Sequence, residues 1–316
     1  MNYRSLSVVV LLAGCGLFEP GDGHGDGYDG GEDDGIEMTT ADNEDPGEAV
    51  CACAEDNDGI YLLSDEGKIW SFDPDTLEFR FRTRIECGEM STDTISMGVS
   101  RKGRAWVEYD GGDIYTVDLT RHGAVTRCQD PGFASDDPLF ERFGMAFVGD
   151  GAEDRCDRLY LHTSVDSSWV GERVGALGVV DPQTLELARI APVDSGWAEL
   201  TGTRDGRLFA FGAASPSVLS EYDKRSGRVL GRWPLPGIGD FSAFAFAFWG
   251  GYFYFFTDDA ALYGRSRVTK FDFADLDGQG MVLSTVVAQA PMRIVGAGVS
   301  TCAPQCPRSW RSSCSL

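Results

Sequence analysis

From residue 58 onward one pattern recurs five times, and it restricts the fold more than anything else in the chain. A short apolar run ends in Asp and enters a turn: IWSFDPDTL, IYTVDLTRHG, LGVVDPQTL, LSEYDKRSG and VTKFDFADLDG. Their aspartates are Asp73, Asp118, Asp181, Asp223 and Asp272. An Asp side chain can accept from the backbone N–H two residues on and so start a turn, which makes these acids structural rather than catalytic. Each run follows another strand-like segment: GIYLLSD, RAWVEYD, RLYLHTS, RLFAFGA and GYFYFFT. Four of those follow a third segment rich in small residues: TISMGVS, GMAFVGD, WAELTGT and SAFAFAFW. The first unit lacks its own, and RIVGAGVS, residues 293–300, has the same character at the other end of the chain. With a strand after each Asp turn, the unit has four strands and a period of roughly 50 residues, the signature of a propeller blade. The expectation is an all-β fold, a five-bladed β-propeller closed by a C-terminal strand that completes the first blade. A seven-stranded sandwich or a lipocalin-like barrel does not account for the fourfold rhythm.

The most apolar stretch of this region, SAFAFAFWGGYFYFFT at 242–257, is too short for the roughly 20 residues of a spanning helix and is broken by Gly250-Gly251. Ala243, Ala245 and Ala247 alternate with Phe244, Phe246 and Phe248, which is the period of a strand. Two strands joined by a Gly-Gly turn are expected, with the phenylalanines filling the gap between neighbouring blades.

The N-terminus reads differently. MNYRSLSVVVLLAGCGLFEP has a charged Arg4, an apolar core from Leu6 to Leu12 and small residues before Cys15, the plan of a secretory signal. Leu12 to Cys15, LAGC, resembles a bacterial lipobox, which implies cleavage after residue 14 and acylation of Cys15. Gly16 rather than Asp follows, so an outer-membrane lipoprotein on its periplasmic or cell-surface face is expected. Residues 16–50 hold twelve Asp or Glu and no Lys or Arg. Such a segment cannot build a core, and with Cys15 it reads as a disordered acidic tether over 15–50. Removing these twelve acids and Arg4 from the formal charge of −23 leaves −12 for residues 51–316. Binding to nucleic acid or to an anionic membrane surface is thereby disfavoured, and contact with the membrane is expected through the lipid anchor only.

Eight further cysteines stand at 51, 53, 87, 128, 156, 302, 306 and 314. An even count in an exported chain suggests disulfides; the spacing fits no zinc site, and His122 and His162 have no ligand-like neighbours. Cys302 follows the closing strand, and Cys51 and Cys53 precede the second strand of the same blade, so a bond from Cys302 to one of them would lock the ring. Cys87 and Cys128 follow outer strands of adjacent blades and could pair. Cys156, Cys306 and Cys314 have no evident partner. The propeller domain is expected over 51–304, with a loose tail over 305–316.

AFAFWGG, ELTGTRDGRLF, FGMAF and IVGAGVSTCAP resemble a group of uncharacterised lipoproteins predicted from myxobacterial genomes. The resemblance covers residues 58–304 and implies the same compartment and repeat. It carries no activity or catalytic residues with it. The segment DSSWVGERVG departs from the group's pattern.

Five-bladed propellers include glycosidases with paired carboxylates at the axis. Glu199 is the one clear acid on an inner strand, while Asp93 and Asp240 stand just before two others, so these three are the catalytic candidates. Asp93 and Asp240 also suit ordinary turns. There is no G-x-S-x-G, H-E-x-x-H or P-loop pattern, DNDG and DLDG do not continue as calcium loops, and neither a metal nor a cofactor is expected. Loops joining the second to the third strand, and one blade to the next, open on one face. They bring Phe140, Arg142, Trp169, Arg173, Tyr263 and Arg265 there as ligand-binding candidates; alternatively the aromatics fold back over the blade ends. The reading is a monomeric, lipid-anchored binding or scaffolding module for envelope proteins or glycans, with a glycan-active hydrolase as the alternative.

Overall fold

The computed structural model describes residues 51–306 apart from 89–92, 122, 150–155, 168–171, 194–195, 213–215, 259–263 and 274–281, and it describes the backbone but not the side chains of 164–167 and 172–174. The signal segment 1–14, Cys15, the tether up to residue 50, Trp169, Tyr263, the side chain of Arg173 and the tail from residue 307 lie outside the described residues.

The first blade contains β1 (Ile60–Ser64), β2 (Lys68–Asp73) and β3 (Glu78–Glu86), and the second β4 (Thr94–Val99), β5 (Arg104–Tyr109) and β6 (Ile114–Asp118), followed by the short β7 (Val125–Arg127). The third holds β8 (Phe143–Gly149), β9 (Asp157–Ser167), β10 (Glu172–Val180) and β11 (Leu187–Val193). The fourth holds β12 (Ala198–Gly202), β13 (Leu208–Gly212), β14 (Val218–Tyr222) and β15 (Val229–Pro234). The fifth holds β16 (Phe244–Trp249), β17 (Tyr252–Asp258), β18 (Ser266–Asp272) and β19 (Leu283–Val287), after which β20 (Ile294–Val299) runs back to the first blade. There β20 pairs antiparallel with β1, Ile60 opposite Val299, so the last strand is the inner strand of the first sheet.

Closure is visible in the packing. Each inner strand lies against the inner strands of both neighbouring blades, β4 on β8, β8 on β12, β12 on β16, β16 on β20 and β20 on β4. Five apolar clusters fill the five gaps between consecutive blades, the last joining blade five to blade one. Strand alternation sends successive side chains to opposite gaps. Phe244, Phe246 and Phe248 pack against Phe209 and Phe211 of blade four, whereas Ala245, Ala247 and Trp249 face Ile60 and Leu62 of blade one. Gly250 and Gly251 have φ of +62° and +85° and join Trp249 to its partner Tyr252, the backbone that a two-residue hairpin with both central residues at positive φ requires.

Four of the five aspartate markers are turn caps. Asp73 Oδ1 accepts from the N–H of Asp75 and Thr76, Asp118 from Thr120, Asp181 from Gln183 and Thr184, and Asp223 from Arg225 and Ser226. For Asp272, the residues two and three positions on, 274 and 275, lie outside the described residues.

Two expectations need correction. Blade two has three strands, β4-β5-β6, rather than four. The segment in line to be its fourth strand crosses to blade one, where β7 pairs parallel with β3, Arg84 opposite Val125. Thr83 and Thr126 hydroxyls meet at 2.9 Å there, and the Cys87–Cys128 disulfide fixes the end of the pair. Among the described residues, the isolated bridge between Thr116 and Gln129 is the backbone pairing that returns to β6. Phe140, offered above as a ligand contact, is 1% exposed. It sits at the end of a single 3₁₀ turn capped by Asp137 and fills the space left by Gly178, whose added Cβ would lie 2.7 Å from the Phe140 ring.

Cys302 bonds Cys53, and Cys51 bonds Cys156 in the connection between blade-three strands. The segment ahead of β1 is thus tied both to the closing strand and to blade three. Cys306 is also disulfide-bonded.

Candidate functional site: a cavity at the propeller axis

All five inner strands begin on the same face, and a cavity of about 500 Å³ opens among their first residues. The residue immediately ahead of each inner strand lines it: Asp93, Arg142, Trp197, Ala243 and Arg293. Radial packing makes these five positions equivalent, so a polar or aromatic side chain at any of them faces the axis. Glu199, the second residue of β12, lines the cavity from below, and Asp65, Ser242 and Phe244 complete its polar and apolar walls.

The rim is held by an ionic cluster. Asp258 accepts from the backbone N–H of Ser242 at 2.7 Å and Ala243 at 2.8 Å, from the Ser242 hydroxyl at 2.7 Å and from Arg293 Nε at 3.0 Å. Burial alone would raise the Asp258 pKa, but these four donors together hold it below the usual carboxylate range. Arg293 also donates to the Ser242 hydroxyl at 3.0 Å and reaches Asp65 at 3.8 Å. Burial pushes the Asp65 carboxyl up, and Arg293 opposes this incompletely. Across the cavity, the half-exposed Arg142 guanidinium lies 5.2 Å over the Trp197 ring and 3.6 Å from Asp110.

Beneath the rim are two buried carboxyls. The Ser96 hydroxyl donates to Glu199 Oε2 at 2.7 Å and accepts from the N–H of Met145 at 3.1 Å. Ser96 stands opposite Glu108 in the β4–β5 pairing. Glu108 Oε1 accepts from the N–H of Phe143 at 3.3 Å, and its Oε2 has no hydrogen-bond partner among the described residues. Burial drives both pKa values well above the usual carboxylate range; Glu199 raises that of Glu108 further, while the Ser96 hydroxyl opposes the rise at Glu199. Two anions cannot be housed there without a cation between them, so the pair favours its neutral, proton-bearing form.

The candidates named from sequence therefore separate. Glu199, Asp93 and Arg142 come together on this cavity. Asp240 is exposed and is not among the residues lining it. Arg265 is exposed in the β17–β18 connection, and the backbone of Arg173 lies opposite Asp166 in the β9–β10 hairpin. Trp197, Arg293, Asp65 and the Ser96–Glu108 pair escaped the sequence reading. For Trp197 and Arg293 the signal was present, since each precedes a small-residue strand in the position held by Asp93 and Arg142.

No family model and no curated protein matches the chain. Among solved structures, it is similar to a chain of a nidogen/laminin complex, at 13% identity and a TM-score of 0.44, over 76% of this chain and 98% of that one. It is also similar to the structure of YjhT, at 10% identity and a TM-score of 0.43, over 65% of this chain and 68% of that one.

Proposed function

We propose that this protein is a lipid-anchored cell-envelope propeller that acts as a binding or scaffolding module, with a glycan as the ligand of its axial cavity. One observation carries the reading: the residues ahead of the inner strands meet around a single opening, where acceptors, donors and an indole alternate. Recessed sites that pair a few converging polar groups with an aromatic wall suit small polar ligands. The rigid ring supplies the preorganisation, since Asp258 and Trp197 hold the two guanidiniums before any ligand arrives. Titrating the full chain with envelope glycan fragments tests this. Trp197→Ala and Arg142→Ala are each expected to weaken binding at least tenfold, roughly 1.4 kcal/mol; unchanged affinity in both would place the ligand elsewhere.

Hydrolysis is the second reading, favoured by one feature. A carboxyl whose pKa is raised by burial, as that of Glu199 is, favours the protonated form that can donate to a leaving oxygen, and Asp65 and Asp93 are the other acids lining the cavity. Glycan turnover that is lost in Glu199→Gln would support it, whereas binding without turnover in the unaltered protein would dismiss it. Lipidation is tested separately: Cys15→Ala should release the protein from membranes, and unchanged membrane fractionation would refute the anchor.

A further inference from the structure

A second cavity, of about 610 Å³, lies at the other end of the inner strands, between blades two and three. Four cationic side chains, Arg101, Lys102, Arg104 and Arg158, and two carboxylates, Asp157 and Asp181, line it, a formal balance of +2. Residues 51–316 together carry −12. A positive recess on an acidic domain focuses its field on anions.

The cations do not all serve internal ion pairs. Arg101 and Asp157 form a bridge at 2.8 Å whose side chains are 11% and 4% exposed, and Asp157 also accepts from the Thr301 hydroxyl at 2.8 Å. That cluster joins blades two and three to the segment that follows the closing strand β20 and is structural. Arg158 reaches Asp181 at 3.2 Å. Arg104 differs, because its guanidinium donates to two neutral oxygens, Gln129 Oε1 at 2.6 Å and Thr116 Oγ1 at 3.4 Å. Its cross-strand neighbour Asp118 is engaged by Thr120 and by Arg121 at 3.2 Å, and the through-space attraction of Arg104 is the weakest of the effects on that carboxylate. Gln129 comes to Arg104 through the detour of the chain that leaves blade two with three strands. Neutral acceptors orient a guanidinium without cancelling its charge, which leaves a fixed fork suited to a carboxylate or phosphate. Trp106 and Phe147, packed edge to face at 5.6 Å, provide an apolar floor on which the carbon skeleton of a ligand can rest.

We propose that this second cavity is a binding site for a small molecule carrying a phosphate or carboxylate group, with Arg104 as the group that meets the anion and Lys102 beside it. The site is separate from the axial cavity and does not depend on the function proposed for that cavity.

Calorimetric titration of the full chain with inorganic phosphate, with glucuronate and with glucose tests the proposal and tells the two sources of negative charge apart. At least one anion should bind while glucose does not, and binding should weaken in ~0.5 M salt. Arg104→Gln should lower the affinity at least tenfold, Lys102→Gln should lower it less, and Trp197→Ala at the axial cavity should leave it unchanged. If Arg104→Gln does not fold, Arg104→Lys, which keeps the charge and loses the fork, takes its place with the same expected direction. The proposal is overturned if neither anion binds better than glucose, if the variants at 102 and 104 bind as the unaltered chain does, or if Trp197→Ala abolishes anion binding.

Discussion

The small residues of the inner strands make a quantitative demand that one methyl group can test. Gly144 in β8 has ordinary negative-φ backbone, so it is there for space. A Cβ on it would stand 2.3 Å from the carbonyl oxygen of Ala198 and 2.7 Å from Cα of Glu199. Gly202 makes the reciprocal approach from β12, its Cβ position lying 2.3 Å from the carbonyl oxygen of Phe147. Ordinary contacts between such atoms need well over 3 Å, and the obstacle is backbone in a neighbouring sheet, so one strand must move by about 1 Å. Overpacking costs about 1–3 kcal/mol, and the upper end applies where no side chain can rotate away. Against this, Ala loses less chain entropy on folding than Gly, a gain of about 0.4–1 kcal/mol. The net expectation for Gly144→Ala is about 2 kcal/mol of lost stability, or a fall in Tm of about 4–8 °C for a domain of this size. Gly59→Ala is the control, since nothing lies within 4 Å of its Cβ position, and it should be neutral or slightly stabilising. Thermal and denaturant unfolding followed by circular dichroism, disulfides intact, gives both values. Equal stability of the two variants would refute the close-approach argument. Because the obstructed strand carries Glu199, Gly144→Ala should also weaken any axial ligand.

Removing the Cys53–Cys302 bond, which spans 249 residues, should cost more than removing Cys87–Cys128, which spans 41; the chain-entropy relation gives a difference of roughly 1.5 kcal/mol, and the reverse order of Tm values would count against it. Glu199 and Glu108 both have pKa values raised in the fold by burial, so the unfolded chain releases their protons first. Stability should therefore be fully present below the ordinary Glu pKa and decline as pH rises through the folded values, by up to about 1.4 kcal/mol per pH unit for each group; Glu199→Gln should flatten the slope seen in denaturant unfolding. His162 works in the opposite sense: burial brings its pKa down from 6.5 to about 4, so the unfolded chain takes up the proton first and stability should fall by about 3 kcal/mol as pH drops through that window. His162→Gln should remove this acid-side loss, and an unchanged pH profile would show that the imidazole is not the group responsible.

What could be read from the chain alone has a physical boundary. Alternation and turn chemistry are local, so Ala245 and Phe246 announce a strand buried on both faces, and Asp223 announces its turn, without knowledge of any other blade. Small residues in the first strand of each unit, and in 293–300, carry the ring closure because crowding at the axis admits little else. The path of β7 is not local. Three residues have too little pattern to choose between two edges, and the choice rests on long-range partners, Arg84, Thr83 and Cys87. Cys156 is a similar case, since its pairing with Cys51 follows from two connections sharing one end of the ring. Phe140 had a readable counter-signal in Gly178, because a glycine inside a strand marks a close approach, and the incoming group is the Phe140 ring itself.

The same boundary explains which half of the buried acid pair was legible. Glu199 lies on an inner strand, where a carboxylate among small and apolar residues stands out and the axis is the natural destination. Glu108 lies on a second strand, within RAWVEYD, where an acid next to Tyr and Asp resembles the solvated end of a hairpin. It is buried because β4 covers it through Ser96 and because the N–H of Phe143, from the next blade, turns toward it. Burial here is a property of the contact between two blades, and neither blade's sequence contains it. The repeat determines which residues share the axial opening, but the protonation of what lies beneath depends on how closely neighbouring inner strands approach. Gly144 sets that approach on one side and Ser96 bridges it on the other, so the stability of the ring and the chemistry of its cavity are controlled by the same contact.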